Sequence, residues 1–382
     1  NETKYLWRTF SPDQIDLNFK NPKVLIRFIK IIFNLINNGV RIFRLDAIAY
    51  LWKENGNTCI NHTNTHNIIK FIRLVFNLLK TECIIITETN LPEKENLSYF
   101  GNSDEANWIY NFSLAPILVY SLLFEDSNKI TKWSKNFPIA KLNNNYLNFI
   151  ASHDGIGMRP IEGILSTNTQ KKFLIRLKKN GGEFSYRKVQ GVKKKVYEAN
   201  ITLFNAFKCS DFDKSGIFGF ERYMAAHTIM ISFDGIPAIY FNSMFGNSND
   251  NSKYIISGNK RDLNRYRWNK DKIEDHLKDQ NSKQNKYYKN MSNILAIRGK
   301  QKAFHPNAIR KTLKLGANFF GIKRVSTDNK QSIYCITNMT SKLQLLKVNK
   351  NIFYKRNLFN SKLTKKSGKI QFEPFQTVWL TN

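Results

Sequence analysis

Short β-branched runs that alternate with amphipathic stretches constrain the fold of this chain more than any other feature. Val40–Ile48 reads as a buried strand, Thr65–Leu79 as a helix and Cys83–Thr87 as another strand. Asn107–Phe112 and Leu147–Ser152 are further strand candidates. Arg222–Phe233 reads as a helix and Ile236–Phe241, at a Gly-Ile-Pro turn, as a strand. Parallel strands need crossovers long enough to hold a helix, so this alternation predicts an α/β fold with a parallel sheet or barrel. A (β/α)8 TIM-type barrel takes eight strands in ~250 residues, and about five precede the change of texture described below; five cannot close a barrel. Either the sheet is open or the barrel's first units precede Asn1. The absence of an initiating Met favours the second, a barrel whose N-terminal part is missing from this chain.

The rhythm breaks twice. Residues 160–215 are polar, Lys-rich and Gly-containing, and read as a long insertion. From Ala303 onward short alternating segments take over, among them Phe319–Val325, Gln331–Thr337 and Thr377–Leu380, with the period of two that a half-buried antiparallel strand shows. The expected organisation is a partial catalytic barrel over 1–302, with the insertion at about 160–215, and a C-terminal antiparallel β-domain over 303–382.

Composition closes off other classes. Hydrophobic residues make up 42% of the 382, with 29 Phe and 16 Tyr, which is ample for a packed core and excludes wholesale disorder. Sixty basic against 29 acidic residues give a net charge of +31, which taken alone suggests a polyanion partner. The lysines are spread over the whole chain beside many Asn and Ile, and no recognition motif accompanies them, so a compositional bias explains the charge and no nucleic-acid partner is expected. The one dense run, Lys193 to Lys195, sits in a Gly-flanked loop. Cys59, Cys83, Cys209 and Cys335 form no metal-ligand spacing and read as reduced thiols in a cytoplasmic protein. No apolar run approaches the ~18 residues of a membrane span, so no membrane partner is expected. His62 and His66 are four apart, but no acidic partner is evident nearby in sequence, so no metal is expected.

Three acidic motifs lie at or just beyond predicted strand ends: Arg44-Leu-Asp46-Ala, Thr87-Glu88-Thr-Asn90 and Ser152-His153-Asp154-Gly. In a barrel, C-terminal strand ends converge on one mouth, where active sites sit. Three carboxylates there, one with an Arg two residues upstream and one beside a His, suit glycosidic chemistry: one carboxylate attacks the anomeric carbon and another, protonated, releases the leaving group. Asp46, Glu88 and Asp154 are therefore expected in one pocket.

FRLDAIAY, IITETN and ASHDGIG resemble the three central conserved regions of the α-amylase superfamily (glycoside hydrolase family 13). TFSPDQIDLNFKNP, RLDAIAYLWKENGNTCI, YNFSLAP, SHDGIGMRPIEGIL, VYEAN, RDLNR and AFHPN narrow the resemblance to the sucrose phosphorylase subgroup and its relatives acting on glucosylglycerate, glucosylglycerol or phosphorylated sucrose. The resemblance runs from residue 5 to the C-terminus. It implies Asp46 as nucleophile, Glu88 as acid/base and Asp154 as the carboxylate that binds the glucose hydroxyls and strains the ring. It further implies that Arg44 orients Asp46, that His153 hydrogen-bonds the glucose and that Tyr50 borders the phosphate. Tyr197 would lie on a mobile loop and Arg261 would hold acceptor or phosphate. Two positions depart from the sucrose phosphorylase pattern: Glu198 replaces a Gln, and Asn90 replaces a His. Both touch the acceptor side. A carboxylate at 198 suits polyol hydroxyls and would repel a glycerate carboxylate unless an Arg or Lys intervenes; the basic loop Arg187–Lys195 is one source of that cation.

The implied reaction is double displacement with retention, in which inorganic phosphate attacks a β-glucosyl-enzyme and releases α-glucose 1-phosphate. The substrates are then an α-glucoside and phosphate, with no cofactor. The same carboxylates also serve a hydrolase or transglucosidase, and a silent sugar-binding or structural remnant of a truncated gene is a third reading. The region with the superfamily's first conserved His and Asp would lie upstream of Asn1, so the chain by itself is expected to be inactive.

Overall fold

The computed structural model describes residues 3–189, 192–347, 354–359, 363–366 and 368–382. It comprises two compact units, Asn1–Tyr110 with Leu142–Asn145, and Asn111–Lys141 with Tyr146–Asn382.

In the first unit, helix Pro22–Asn37 starts on the Asn21 side chain, which accepts from the Lys23 amide at 3.0 Å, with Pro22 in the first turn. Proline there costs nothing, because that amide has no helical partner anyway. Strand β1 (Ile42–Leu45) pairs in parallel with β2 (Ile84–Thr87), and β2 with β3 (Trp108–Tyr110). The crossover helix Thr63–Leu78 is capped by His62, whose Nδ1 accepts from the Asn64 amide. It buries Ile68, Ile69, Ile72 and Phe76, the i, i+1, i+4, i+8 stripe of an amphipathic helix. Phe76 packs on Phe43 of β1 with ring centroids 5.3 Å apart. The strands are shorter than the apolar runs that announced them, because the ends of those runs turn to form the loops that carry Asp46 and Glu88.

The second unit contains β4 (Asn145–Asn148), whose first residue belongs to the first unit and whose Leu147 and Asn148 pair in parallel with Ile236 and Pro237 of β8 (Ile236–Pro237). Helices Leu114–Leu123 and Gly219–Ser232 are buried nearly all round, as their weak amphipathicity requires. Residues 160–215, read as an insertion, carry regular structure. They hold helix Thr167–Lys179 and an antiparallel hairpin of β6 (Glu183–Val189) and β7 (Val192–Asn200), and β7 also pairs with β5 (Ile156–Gly157). Their polar composition reflects one-sided burial: Phe173, Arg176 and Leu177 face inward while the lysines face solvent.

From residue 309 every strand pairing is antiparallel. The elements are β9 (Ile309–Thr312), β10 (Phe319–Val325), β11 (Ser332–Asn338), β12 (Gln344–Lys347), β13 (Arg356–Asn357), β14 (Lys365–Lys366), β15 (Lys369–Phe372) and β16 (Thr377–Thr381). They form sheets in the orders β13-β16-β11-β10-β9 and β12-β15-β14, over a core that includes Phe319, Ile336, Phe372 and Leu380. This β-domain differs in texture yet shares one compact unit with the α/β residues 111–141 and 146–308. Polar anchors as well as apolar contact hold it there. Arg324, with no exposed surface, donates to the carbonyls of Ser232, His305 and Ala308, and Trp379 Nε1 donates to Ser232 Oγ at 2.9 Å.

Candidate active site

The parallel register sets Leu45 beside Thr87, so Asp46 and Glu88 each fall one residue beyond adjoining strands. The Glu88 amide extends the ladder, donating to the Leu45 carbonyl at 3.1 Å. Ala47 then takes a left-handed conformation at φ 45°. A side chain there costs on the order of 1–2 kcal/mol. The turn aims the Ala47 amide at Glu88, donating to Oε2 at 2.8 Å. Arg44 serves both acids: Nη1 meets Asp46 Oδ1 at 2.5 Å and Nη2 lies 4.0 Å from Glu88 Oε2. Through the width of one guanidinium, those two carboxyl oxygens are at most about 9 Å apart.

Tyr110, at the end of β3, completes the cluster. Its hydroxyl accepts from Arg44 Nε at 3.0 Å, and the guanidinium lies 5.6 Å from its ring centroid. Burial alone would lower the Arg44 pKa, but Tyr110, Asp46 and Glu88 outweigh it and raise it, so the cation is fixed. Burial raises the Tyr110 phenol, with Arg44 opposing, and keeps it neutral. The acids differ in environment: the Asp46 side chain is 73% exposed and that of Glu88 15%. Tyr50 and Asn90 lie in the same unit. Tyr50 packs edge-on against Phe10 with centroids 5.2 Å apart. Asn90 Oδ1 is buried without a hydrogen-bond partner among the described residues, an acceptor open to a donor.

The second unit gathers His153, Asp154, Tyr197, Glu198 and Arg261. Gly155, at φ 110°, holds the Ser152–Gly155 turn against β7; a Cβ there would lie 2.5 Å from the Ala199 carbonyl oxygen, so only glycine fits. Arg261 spans two acids. Its Nη1 meets Asp154 Oδ1 at 2.9 Å, and its Nε and Nη2 grip Glu198 at 3.2 and 3.0 Å. Arg265 donates through Nη2 to the same Asp154 oxygen at 3.2 Å and through Nε to the His153 carbonyl at 3.0 Å. His153 Nε2 lies 3.4 Å from Asp154 Oδ1. Asn200 donates to the Asp154 carbonyl and to Glu198 Oε1.

Glu198 is 2% exposed. Burial raises its pKa and Asp154 adds to that, while Arg261 and Asn200 pull it down. Arg261 itself is raised, because Glu198, Asp154 and Tyr197 outweigh its burial.

Glu198 accepts through Oε1 from Arg261 and Asn200 and through Oε2 from Arg261, so the cation beside it is Arg261. Arg187 and Lys195 of the basic loop both pair with Glu162, at 3.0 and 3.1 Å. Gln190, Gly191 and the Lys193 side chain lie outside the described residues. One sequence expectation is corrected: His62 and His66 do have acidic partners, His62 meeting Glu54 at 3.0 Å and His66 meeting buried Glu105 at 2.6 Å. Glu54 lies eight residues from His62 and Glu105 39 from His66, and among the described residues no group of three ligands suits a metal. Sequence reasoning missed Tyr110, Arg265 and Asn200. Each lies in a motif already singled out, YNF, RDLNR and VYEAN, and the four-residue spacing of Arg261 and Arg265 was the available signal.

Residues 1–163 match the α-amylase catalytic domain family. A glucosylglycerate phosphorylase of Escherichia coli is 31% identical over 385 residues, covering 99% of this chain and 67% of that protein. The chain belongs to the α-amylase superfamily, on its glucoside phosphorylase branch. A glucosylglycerate phosphorylase of Allomeiothermus silvanus is 32% identical over 91% of this chain and 62% of its own length. A sucrose 6F-phosphate phosphorylase structure from Thermoanaerobacter thermosaccharolyticum superposes with a TM-score of 0.73 at 20% identity, covering 90% of this chain and 66% of that one. The fold is that of the superfamily, a TIM-type barrel with C-terminal antiparallel sheets. The chain spans 57–67% of the length of three glucosylglycerate phosphorylases it matches. Among the described residues no helix is long and apolar enough to cross a membrane.

Proposed function

We propose that this chain is the larger part of a retaining glucoside phosphorylase, which converts an α-glucoside and inorganic phosphate to α-glucose 1-phosphate. Asp46 attacks the anomeric carbon while Glu88 gives its proton to the leaving oxygen, breaking the glycosidic bond. A β-glucosyl ester on Asp46 results. Phosphate then attacks the same carbon from the opposite face, Glu88 takes back the proton and Asp46 leaves as a carboxylate. Two inversions give retention.

The observation that carries the reading is the Arg44 clamp. One fixed cation touches the exposed Asp46 directly and reaches the more buried Glu88, whose Oε2 also receives the Ala47 amide. This gives two carboxylates in unlike environments, as a nucleophile and an acid require. The ceiling of about 9 Å on their separation accommodates the ~5–5.5 Å of a retaining pair.

Asp154, held by Arg261, Arg265 and His153, takes the glucose hydroxyls in this scheme. The leaving group is proposed to be glycerate, and two observations favour it: the three relatives at 31–35% identity are named glucosylglycerate phosphorylases, and two arginines stand against Asp154 and Glu198. A reducing, cytoplasmic setting accords with four free cysteines.

The test uses this 382-residue chain and a version extended by the N-terminal segment of a glucosylglycerate phosphorylase. With glucosylglycerate and phosphate, the extended protein is expected to form α-glucose 1-phosphate and the short chain to be inactive. Free glucose as the only product would replace this reading by hydrolysis.

A further inference from the structure

Arg159 is a buried cation to which the described residues give no counter-charge. It begins the short turn Arg159–Ile161 in the second unit and is 7% exposed. Its Nε and Nη1 are closed to solvent and meet no acceptor among the described residues. Nη2, equally without an acceptor there, is the nitrogen left open. The nearest acid along the chain, Glu162, is held by Arg187 and Lys195 at 3.0 and 3.1 Å. A guanidinium keeps its charge inside a protein, so burial without an acceptor is costly, and an anion that reaches Nη2 offsets that cost.

The position of Arg159 ties it to the candidate site. Strand β5 runs beside β7 with Gly157 opposite Glu198, and the Met158 amide donates to the Tyr197 carbonyl at 2.9 Å. Arg159 is the next residue, so its backbone leaves the ladder beside the cluster of Asp154, Glu198 and Arg261. That cluster has its charges matched. Arg261 is shared by Asp154 and Glu198, and Arg265 also meets Asp154, so two arginines face two acids. A further anion at this place needs a cation that is not already paired, and Arg159 is one.

We propose that Arg159 receives the carboxylate of the leaving glycerate through Nη2, and so selects a glucosylglycerate over its neutral counterpart, a glucosylglycerol. The inference rests on the reading that glycerate is the leaving group. Glycerol carries a hydroxymethyl group where glycerate carries the carboxylate, and would leave the buried cation unmatched. A site built around such a charged contact rejects the analogue that lacks it.

The experiment is calorimetric titration of the 382-residue chain with D-glycerate, and in parallel with glycerol and with inorganic phosphate. Expected are saturable 1:1 binding of glycerate that weakens as salt rises, and no measurable binding of glycerol. Arg159→Met should weaken glycerate binding by about tenfold or more, and Arg159→Lys by a smaller factor, since lysine keeps the charge and loses the planar fork. Circular dichroism checks that each variant folds; if Arg159→Met does not, Arg159→Lys carries the comparison, and the parent's preference for glycerate over glycerol is read without any variant. Absence of saturable glycerate binding, equal binding of glycerol, or unchanged glycerate affinity in a folded variant would overturn the proposal. So would loss of phosphate binding in Arg159→Met with glycerate binding kept, which would give the residue to phosphate. The readout is binding and not turnover, so an extended protein that only hydrolyses its substrate would reject the phosphorylase reading and leave this result standing.

Discussion

Replacing Arg261 with Met should expose how the charged cluster of the second unit is held. Arg261 gives Glu198 two charge-assisted hydrogen bonds, at 3.2 and 3.0 Å, and Glu198 is 2% exposed. Without Arg261, Asn200 is the one side chain among the described residues that donates to that carboxylate. Breaking a buried pair in this one-sided way costs about 3 kcal/mol, because the remaining charge stays desolvated. The cost must depend on pH. Burial already raises Glu198 above its ordinary 4.5, against the pull of Arg261. Removing Arg261 raises it further. A carboxyl whose folded pKa lies above its unfolded value binds protons more tightly when folded, so stability is lost as pH rises through that window, by up to about 1.4 kcal/mol per pH unit. Arg261→Met should therefore cost about 3 kcal/mol at pH 8 and less at acidic pH, measured by urea unfolding followed by circular dichroism. Adding Glu198→Gln should restore much of the loss at pH 8. An equal cost at both pH values, or strict additivity of the two substitutions, would refute the reasoning.

Three further outcomes follow from the structure. His227 is fully buried, with Nδ1 on the Tyr223 carbonyl, and burial pushes its pKa down to about 4. The unfolded chain takes up a proton below pH 6.5 that the folded chain refuses, so stability should fall by about 3 kcal/mol between pH 6.5 and 4, and His227→Gln should lose that part of the acid sensitivity in urea titrations. Arg324→Met strands three carbonyls and should cost about 3 kcal/mol or more by the same assay; under about 1 kcal/mol would show that the anchors between the β-domain and the helical layer are dispensable. Asp46→Asn in the extended protein should cut product formation by at least about a thousandfold while leaving its melting temperature close to the parent's, since the side chain is 73% exposed.

The sequence was most legible where composition and geometry share one cause. Cys83–Thr87 reads as a buried strand because a parallel strand covered on both faces is continuously apolar, and it appears as β2 at Ile84–Thr87. The acidic residues one step beyond β1 and β2 were visible because a charged group after such a run marks where the chain leaves the sheet. Helix Pro22–Asn37 went unread, although Asn21-Pro22 is a strong start signal and Ile32 and Ile36 mark its buried stripe. The helix and hairpin within residues 160–215 went unread because elements buried on one face only are mostly polar. The partners of Glu198 and His66 could not be read at all. Ion pairs such as Arg261 with Glu198 join residues 63 apart, and no local pattern encodes the meeting.

The measurement that bears most directly on the account is how the glucosyl group divides between phosphate and water. The extended protein would be given glucosylglycerate with and without inorganic phosphate, and α-glucose 1-phosphate and free glucose would be counted. The account predicts α-glucose 1-phosphate as the main product, formed only with phosphate, in the α configuration and lost in Asp46→Asn. Free glucose at the same rate with or without phosphate would contradict it, as would β-glucose 1-phosphate, which a single displacement would give.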